Sequence, residues 1–422
     1  MSNDRAFSRR ALLGAGGAFA AMAGLSACGG NTGGLTGGDG TGGGSGAGLS
    51  QWYHQYGEAG TEEAAKRYAS EYTDAEVTVN WVLGDYASKL STTLLSGSGV
   101  DVFENNAIAV DQMEQGRYAD LTSIVDPVKD QFNAAALSKV EMDGKFWGVP
   151  MLVDPQGFVY RPSVLEAAGI GIPETFEDLV AAATELTTAD QKGLFLGNNF
   201  DACALALIWA GGGSPLTEDL SAVNYNTEGM ATALSLIQQM KNDGVLLTGA
   251  PADWVDPAAF ISGLVPISWA GCWILPAVEE AFGDDVGFFP LPGAGPNGAT
   301  TTFVGTWNEQ VAASSSQVEA ATEFVKWLWI DQLELQNDWS LSYGFHIPPL
   351  TAAAEQAEAL QSGNGKTLFD MTNDFGVTTP PQWTGDMATP MNDAISRVLK
   401  NAADPAAELA AAEEASNRAF SS

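Results

Sequence analysis

A chain of 422 residues in which 45% are hydrophobic and 17% charged has the composition of a well-packed folded protein and is too long for a single core, so two domains are expected. Its 52 acidic against 18 basic residues leave a formal charge of −34, which excludes nucleic acid or an anionic lipid surface as the natural partner. Two histidines and three cysteines without HxxxH or CxxC spacing point away from a metal centre, and no cofactor is expected.

At the front, Ser8-Arg9-Arg10-Ala11-Leu12-Leu13 and an Ala/Gly-rich apolar run to Gly24 have the layout of an export signal, twin-arginine-like in its paired arginines. Leu25-Ser26-Ala27-Cys28 resembles a bacterial lipobox, so residues 1–27 are expected to be cut away and Cys28 to carry a diacylglyceryl group. The apolar run from Ala11 to Ala27 is shorter than the ~20 residues a membrane span needs. Residues 28–48 are almost wholly Gly, Thr, Ser and Asn, a flexible linker with a reach of roughly 25 Å. The GxGxxG matches at 38–43 and 293–298 neither follow a strand nor open a helix, which removes dinucleotide binding.

From residue 49 onward strands and helices alternate. Strands are predicted at 49–53, 77–82 and 101–103, with helices at 61–71, 86–96 and 107–115 between and after them. Extended runs at 148–150 and 157–161 precede a short helix at 162–168, and Thr175-Phe176-Glu177-Asp178 reads as a capping box opening a helix to 186. Further helices are expected at 201–210, 227–242, 318–330, 391–401 and 406–420, with strands at 265–269, 303–306 and 311–313. Repeated βα units imply an α/β protein with a mostly parallel sheet, whose ligands sit beyond the carboxyl ends of the strands. Cys203 and Cys272 lie in apolar surroundings and read equally as a disulfide or as two buried thiols.

Seven segments then occur in a telling order: Ser98-Gly99-Val100-Asp101-Val102-Phe103, Gly116-Arg117-Tyr118-Ala119-Asp120-Leu121, Asp143-Gly144-Lys145-Phe146-Trp147-Gly148-Val149-Pro150, Ala168-Gly169-Ile170, Thr175-Phe176-Glu177-Asp178-Leu179, Gly271-Cys272-Trp273 and Gly344-Phe345-His346-Ile347-Pro348. Together, over nearly all of 49–420, they resemble the family 1 extracellular solute-binding proteins, the maltose-binding-protein-like receptors of ABC importers. The resemblance implies a periplasmic-binding-protein type II fold, two βα lobes joined by a hinge with a ligand cleft between them. It places one lobe at 49–153 plus 302–343 and the other at 154–301 plus 344–422. It also implies a monomer that hands its ligand to permease subunits with a cytoplasmic ATPase, held at the outer face of the cytoplasmic membrane by its lipid alone.

The resemblance also nominates contacts. His54, Tyr56 and Glu58 follow the first strand in a turn that faces the cleft in similar proteins, and Asn105 and Asn106 end the third strand. Asp154 matches an acidic position at the lobe crossing, and Trp273 falls where relatives carry a Gly-Pro-Trp whose indole stacks on sugar rings. Trp209, Trp269, Trp307 and Trp383 are further candidates. Flat apolar faces beside Asp, Asn and Glu suit a pyranose, whose C–H faces and hydroxyls need both, so a mono- or oligosaccharide is the expected ligand. Neither Trp273→Ala nor Asp154→Asn is expected to disturb folding. A polyamine or other small solute held by Asp154 and Glu58 is the alternative. A secreted carbohydrate-active enzyme is a more distant one, because no carboxylate pair is singled out by spacing and Gly-x-Ser-x-Gly and Walker A are absent.

Overall fold

Local chemistry sets several helix ends in this computed structural model, which describes residues 48–420. The export signal, Cys28 and the linker up to residue 47 lie outside the described residues. Asp85 accepts from the Ser88 N–H to open the helix Tyr86–Ser96, and Gly97, at φ 71°, closes it in a left-handed conformation that a residue without Cβ adopts freely. The capping box at Thr175 and Asp178 forms as the spacing predicts and starts the helix Phe176–Glu185. Thr227 caps Glu228–Asn242 by accepting from the Met230 N–H. The helix expected at 318–330 runs as Val318–Lys326 and then widens into a π-helical turn, Trp327–Asp331. No helix of the described residues is long and apolar enough to cross a membrane.

The strands are β1 (Leu49–His54), β2 (Val77–Val82), β3 (Val102–Asn105), β4 (Glu141–Met142), β5 (Lys145–Phe146) and β6 (Val149–Tyr160). They continue as β7 (Leu194–Phe195), β8 (Ser214–Leu216), β9 (Val223–Asn224), β10 (Ile267–Gly271), β11 (Gly287–Phe289), β12 (Thr302–Val311) and β13 (Gly376–Val377). Nine form one sheet in the order β2-β1-β3-β12-β6-β10-β7, with β11 also on β6 and β13 on β12; β4-β5 and β8-β9 are separate hairpins.

This corrects the expectation of a mostly parallel sheet. Strands β1, β2 and β3 pair in parallel, as do β10 and β7, but β12 is antiparallel to both β3 and β6, and β6 is antiparallel to β10 and β11. The two long strands were hidden because Pro150 and Pro155 punctuate β6, where a proline removes a ladder donor. Pro150 is tolerated opposite the irregularity at Trp307/Asn308 of β12, where the register shifts.

These two strands tie two cores together. Val149, Met151 and Leu152 of β6 and Val311 of β12 pack with Leu49, Tyr53, Val102, Trp329 and Trp339. Phe158, farther along β6, packs with Leu194, Ile237, Trp269 and Ile395. Val153 and Val159 of β6 join Val304 of β12, Cys272, Phe345 and Ile347 in a third cluster. Burial of this much apolar surface, at ~25 cal/mol per Å², is the main drive to fold.

Candidate binding cleft

Two adjoining cavities open over the middle of β6 and β12, and a third borders both. The first, about 320 Å³, is lined by Asp154 and Gln156 of β6, Phe303 to Trp307 of β12, and Asn106, Lys139, Leu205, Trp273, Thr378 and Thr379. A second, about 680 Å³, shares Gln156, Leu205 and Phe303 with it and adds Trp254, Trp269 and Trp383. The third, about 770 Å³, meets the first at Lys139 and the second at Trp383. Together they make a groove whose lining mixes tryptophans with polar side chains.

Trp273 is held as a fixed plate. Its Nε1 donates to the Val255 carbonyl at 2.9 Å, and its ring lies 5.7 Å from that of Trp254. Gly271 beneath it is required by close approach: a Cβ there would lie 1.9 Å from Trp273 Cζ3. Trp254 was missed in the sequence, although a tryptophan between Asp253 and Asp256 in a polar, proline-bounded loop is a signal of an exposed aromatic with a task.

Trp307 is held from behind by residues expected to touch ligand themselves. His54 stacks on it with ring centroids 3.9 Å apart and planes 15° from parallel, and Tyr56 lies 4.0 Å from the His54 ring. Both anchor to buried Glu104, which takes the His54 backbone N–H and lies against its Nδ1, while the Tyr56 hydroxyl donates to Oε2 at 2.6 Å. Burial beside Glu104 pushes the Tyr56 hydroxyl pKa well up, keeping it a donor. His54 and Tyr56 line none of the three cavities; they orient Trp307, which lines the first.

Asp154 departs furthest from expectation. It is 7% exposed, and its Oδ1 lies 2.6 Å from His346 Nδ1 and accepts from the Cys272 thiol at 3.6 Å. His346 Nε2 faces Glu58 Oε1 at 3.7 Å. Burial works against a charged His346, but Asp154 and then Glu58 outweigh it and its pKa stands above the ordinary value. Besides lining the first cavity, the Asp154 carboxylate thus holds a buried imidazole. Glu58 faces the same imidazole, so both carboxylates proposed for a cationic ligand already share one partner within the protein. Asp154, Cys272 and His346 bring three metal-ligand types within 4.8 Å. At 2.6 Å, however, the Asp–His separation is that of a hydrogen bond, shorter than the roughly 3.3 Å between two ligands on a tetrahedral ion.

The remaining candidates divide. Asn106 lines the first cavity, whereas Asn105 spends its side-chain oxygen on the Asn106 N–H and its carbonyl on Asn308. Trp383 lines two cavities and is 9% exposed. Trp269 borders the second but is 0% exposed, edge-on to Phe158 in the core, so no face is open to a ligand. Trp209 packs against the same core and lines none of the three. Cys203 and Cys272 are free, buried thiols, and burial pushes Cys203 up to about 12. Lys139, Gln156, Thr378 and Thr379 carried no local sequence signal, since the chain segments that bring them together are distant in sequence.

A family model described as bacterial extracellular solute-binding protein matches residues 51–328. Among similar proteins, the diacetylchitobiose binding protein DasA of Streptomyces coelicolor is 25% identical over 348 residues, 77% of this chain and 79% of its own length. The arabinooligosaccharide-binding protein of Bacillus subtilis is 22% identical over 62% of this chain and 64% of its own. In fold, the chain resembles the GacH receptor of Streptomyces glaucescens, solved unliganded and with acarbose, at a TM-score of 0.75 and 24% identity over 88% of this chain and 98% of that one. It also resembles Lmo0181 of Listeria monocytogenes, solved with cycloalternan, at a TM-score of 0.72 and 22% identity over 88% and 98%.

Proposed function

The chain belongs to the bacterial extracellular solute-binding proteins, a family of extracytoplasmic binding proteins, and from that premise we propose that it captures a carbohydrate in the groove over β6 and β12 and delivers it to an ABC importer. The observation that carries this is that Trp273 and Trp307 line one cavity with Asn106 and Gln156, while Trp383 lines the two cavities adjoining it. Indole faces cover the apolar C–H faces of sugar rings while amides and hydroxyls pair with their hydroxyl groups. The oligosaccharides named for DasA, the arabinooligosaccharide-binding protein and GacH support the same ligand class.

In this reading the lobes are 49–153 plus 302–343 and 154–301 plus 344–422, and they close on the sugar by bending β6 and β12. The protein binds without turning its ligand over, acts as a monomer, and is held through a lipid on Cys28 at the outer face of the cytoplasmic membrane by the Gly-rich linker, within reach of the permease. A thermal-shift panel of mono- and oligosaccharides, polyols and polyamines tests it. Ligand at a hundredfold excess over Kd adds about 2.7 kcal/mol of stability, a plainly visible rise in Tm. A response to polyamines alone would overturn the carbohydrate assignment.

A further inference from the structure

Lys139 follows the short helix Ala134–Ser138 and sits where the first and third cavities meet, yet it is 8% exposed. Its Nζ donates to the Thr379 carbonyl at 3.1 Å and to Thr379 Oγ1 at 2.9 Å. An ammonium has three N–H groups, so one is left over, and neither partner carries negative charge. Among the described residues no carboxylate lies within ion-pair distance of it. The one carboxylate lining the first cavity, Asp154, is engaged by His346 and Cys272, and Asp111, Glu114 and Asp386, which line the third cavity together with Lys139, form no ion pair with it. A buried cation without counter-charge is costly, and burial lowers this lysine to about 8.

The neighbours of Lys139 are donors too. Thr379 Oγ1 accepts from Lys139, which leaves its own proton to give, and Thr378 Oγ1, from a residue lining the same cavity, is buried without a hydrogen-bond partner. Lys139 is the one lysine or arginine lining any of the three cavities. A single cation with two hydroxyls matches a monovalent carboxylate better than a phosphate, which is doubly charged and calls for more positive partners. A neutral sugar hydroxyl would take the spare N–H but leave the charge uncompensated once closure removes the water. The overall charge of −34 opposes an anion at long range, but salt screens that repulsion beyond about 8–10 Å, so the local cation decides.

We propose, resting on the carbohydrate reading, that the sugar carries a carboxylate, as a uronic acid does, and that Lys139 with Thr378 and Thr379 is its recognition site. The test is calorimetric titration of the mature protein with matched pairs of disaccharides, glucuronic- and galacturonic-acid-terminated, against the same sugars reduced to the primary alcohol. The acid of at least one pair is expected to bind tenfold or more tighter than its alcohol. Lys139→Met should erase that preference while leaving the ligand-free Tm unchanged or higher, because it removes an uncompensated buried charge. Lys139→Arg should retain part of the preference. Equal or tighter binding of the neutral partners, or a preference that survives Lys139→Met, would overturn the carboxylate site and leave the carbohydrate reading standing. A protein that binds no sugar of either kind but answers to another solute class would overturn both.

Discussion

His346 Nδ1 and Asp154 Oδ1 meet at 2.6 Å across 192 residues of chain, one on the segment bridged to β6 through Val153 and Ile347, the other on β6 itself. Because the His346 pKa is raised on folding, the folded state holds this proton more tightly than the unfolded chain. The stability it contributes is fully present below the unfolded value near 6.5 and is lost as pH rises through the higher folded value. Thermal melts of ligand-free protein should therefore show a decline in Tm above pH 6.5 that is smaller in His346→Gln. Asp154→Asn, which leaves the imidazole with Glu58 alone as a charged neighbour, is expected to be destabilising by about 3 kcal/mol, the low end for breaking a buried pair, and not neutral to folding as the sequence alone suggests. An unchanged Tm in Asp154→Asn would show that the pair contributes nothing.

Gly271 and Trp273 make a second pair with a consequence. With no room for a Cβ under the indole, Gly271→Ala must push Trp273 off its bond to the Val255 carbonyl. Trp273→Ala should weaken sugar binding roughly thirtyfold, about 2 kcal/mol, the cost of losing a desolvated aromatic contact. Gly271→Ala should weaken it as well and shift the tryptophan emission, although no ligand atom touches residue 271. Calorimetric affinities alongside fluorescence spectra of the two variants decide this. Full affinity in Gly271→Ala would mean that the plate need not be fixed.

Helix bounds such as 86–96 and the start at 176 could be read from the chain because Asp85, Gly97 and the Thr175 capping box act within one turn of their own helices. The antiparallel pairing of β6 with β12 could not, since it depends on residues ~150 apart in the chain and on prolines that look locally like breaks. The site divides along the same line. Trp273 and Trp307 stood out as large aromatics, whereas the support given by His54, Tyr56 and Glu104 is a tertiary arrangement, and Lys139 is one lysine in an alanine-rich turn until Thr379, 240 residues on, is brought to its ammonium. The capture of Asp154 by His346 was invisible for the same reason.

Cys28 lies outside the described residues, and its proposed lipidation is tested in cells. Cys28→Ser should appear in the soluble extracytoplasmic fraction or keep its leader, while the parent fractionates with membranes. A Cys28→Ser protein that is cut and still membrane-bound would refute the lipid anchor.

Glu309 gives the last test, and its sign is opposite to that of an ordinary paired carboxylate. It is 0% exposed on β12, accepting from Gln51 Nε2 at 3.1 Å, Tyr53 Oη at 3.3 Å and Trp329 Nε1 at 2.8 Å, and among the described residues no cation pairs with it. Burial first, and Glu104 as well, outweigh these donors and push its pKa up to about 8. The unfolded chain releases this proton near pH 4.3, so between there and about pH 8 the folded state binds the extra proton and stability falls as pH rises. Glu309→Gln removes the titration. Its amide can still accept from Trp329, and Gln51, whose Oε1 has no partner, can turn over to accept from the new NH₂. Melting from pH 5 to pH 9 should show the variant's Tm flatter than the parent's and higher at the alkaline end. If Glu309→Gln instead falls in parallel with the parent across that range, Glu309 is ionised throughout and its donors carry the full charge.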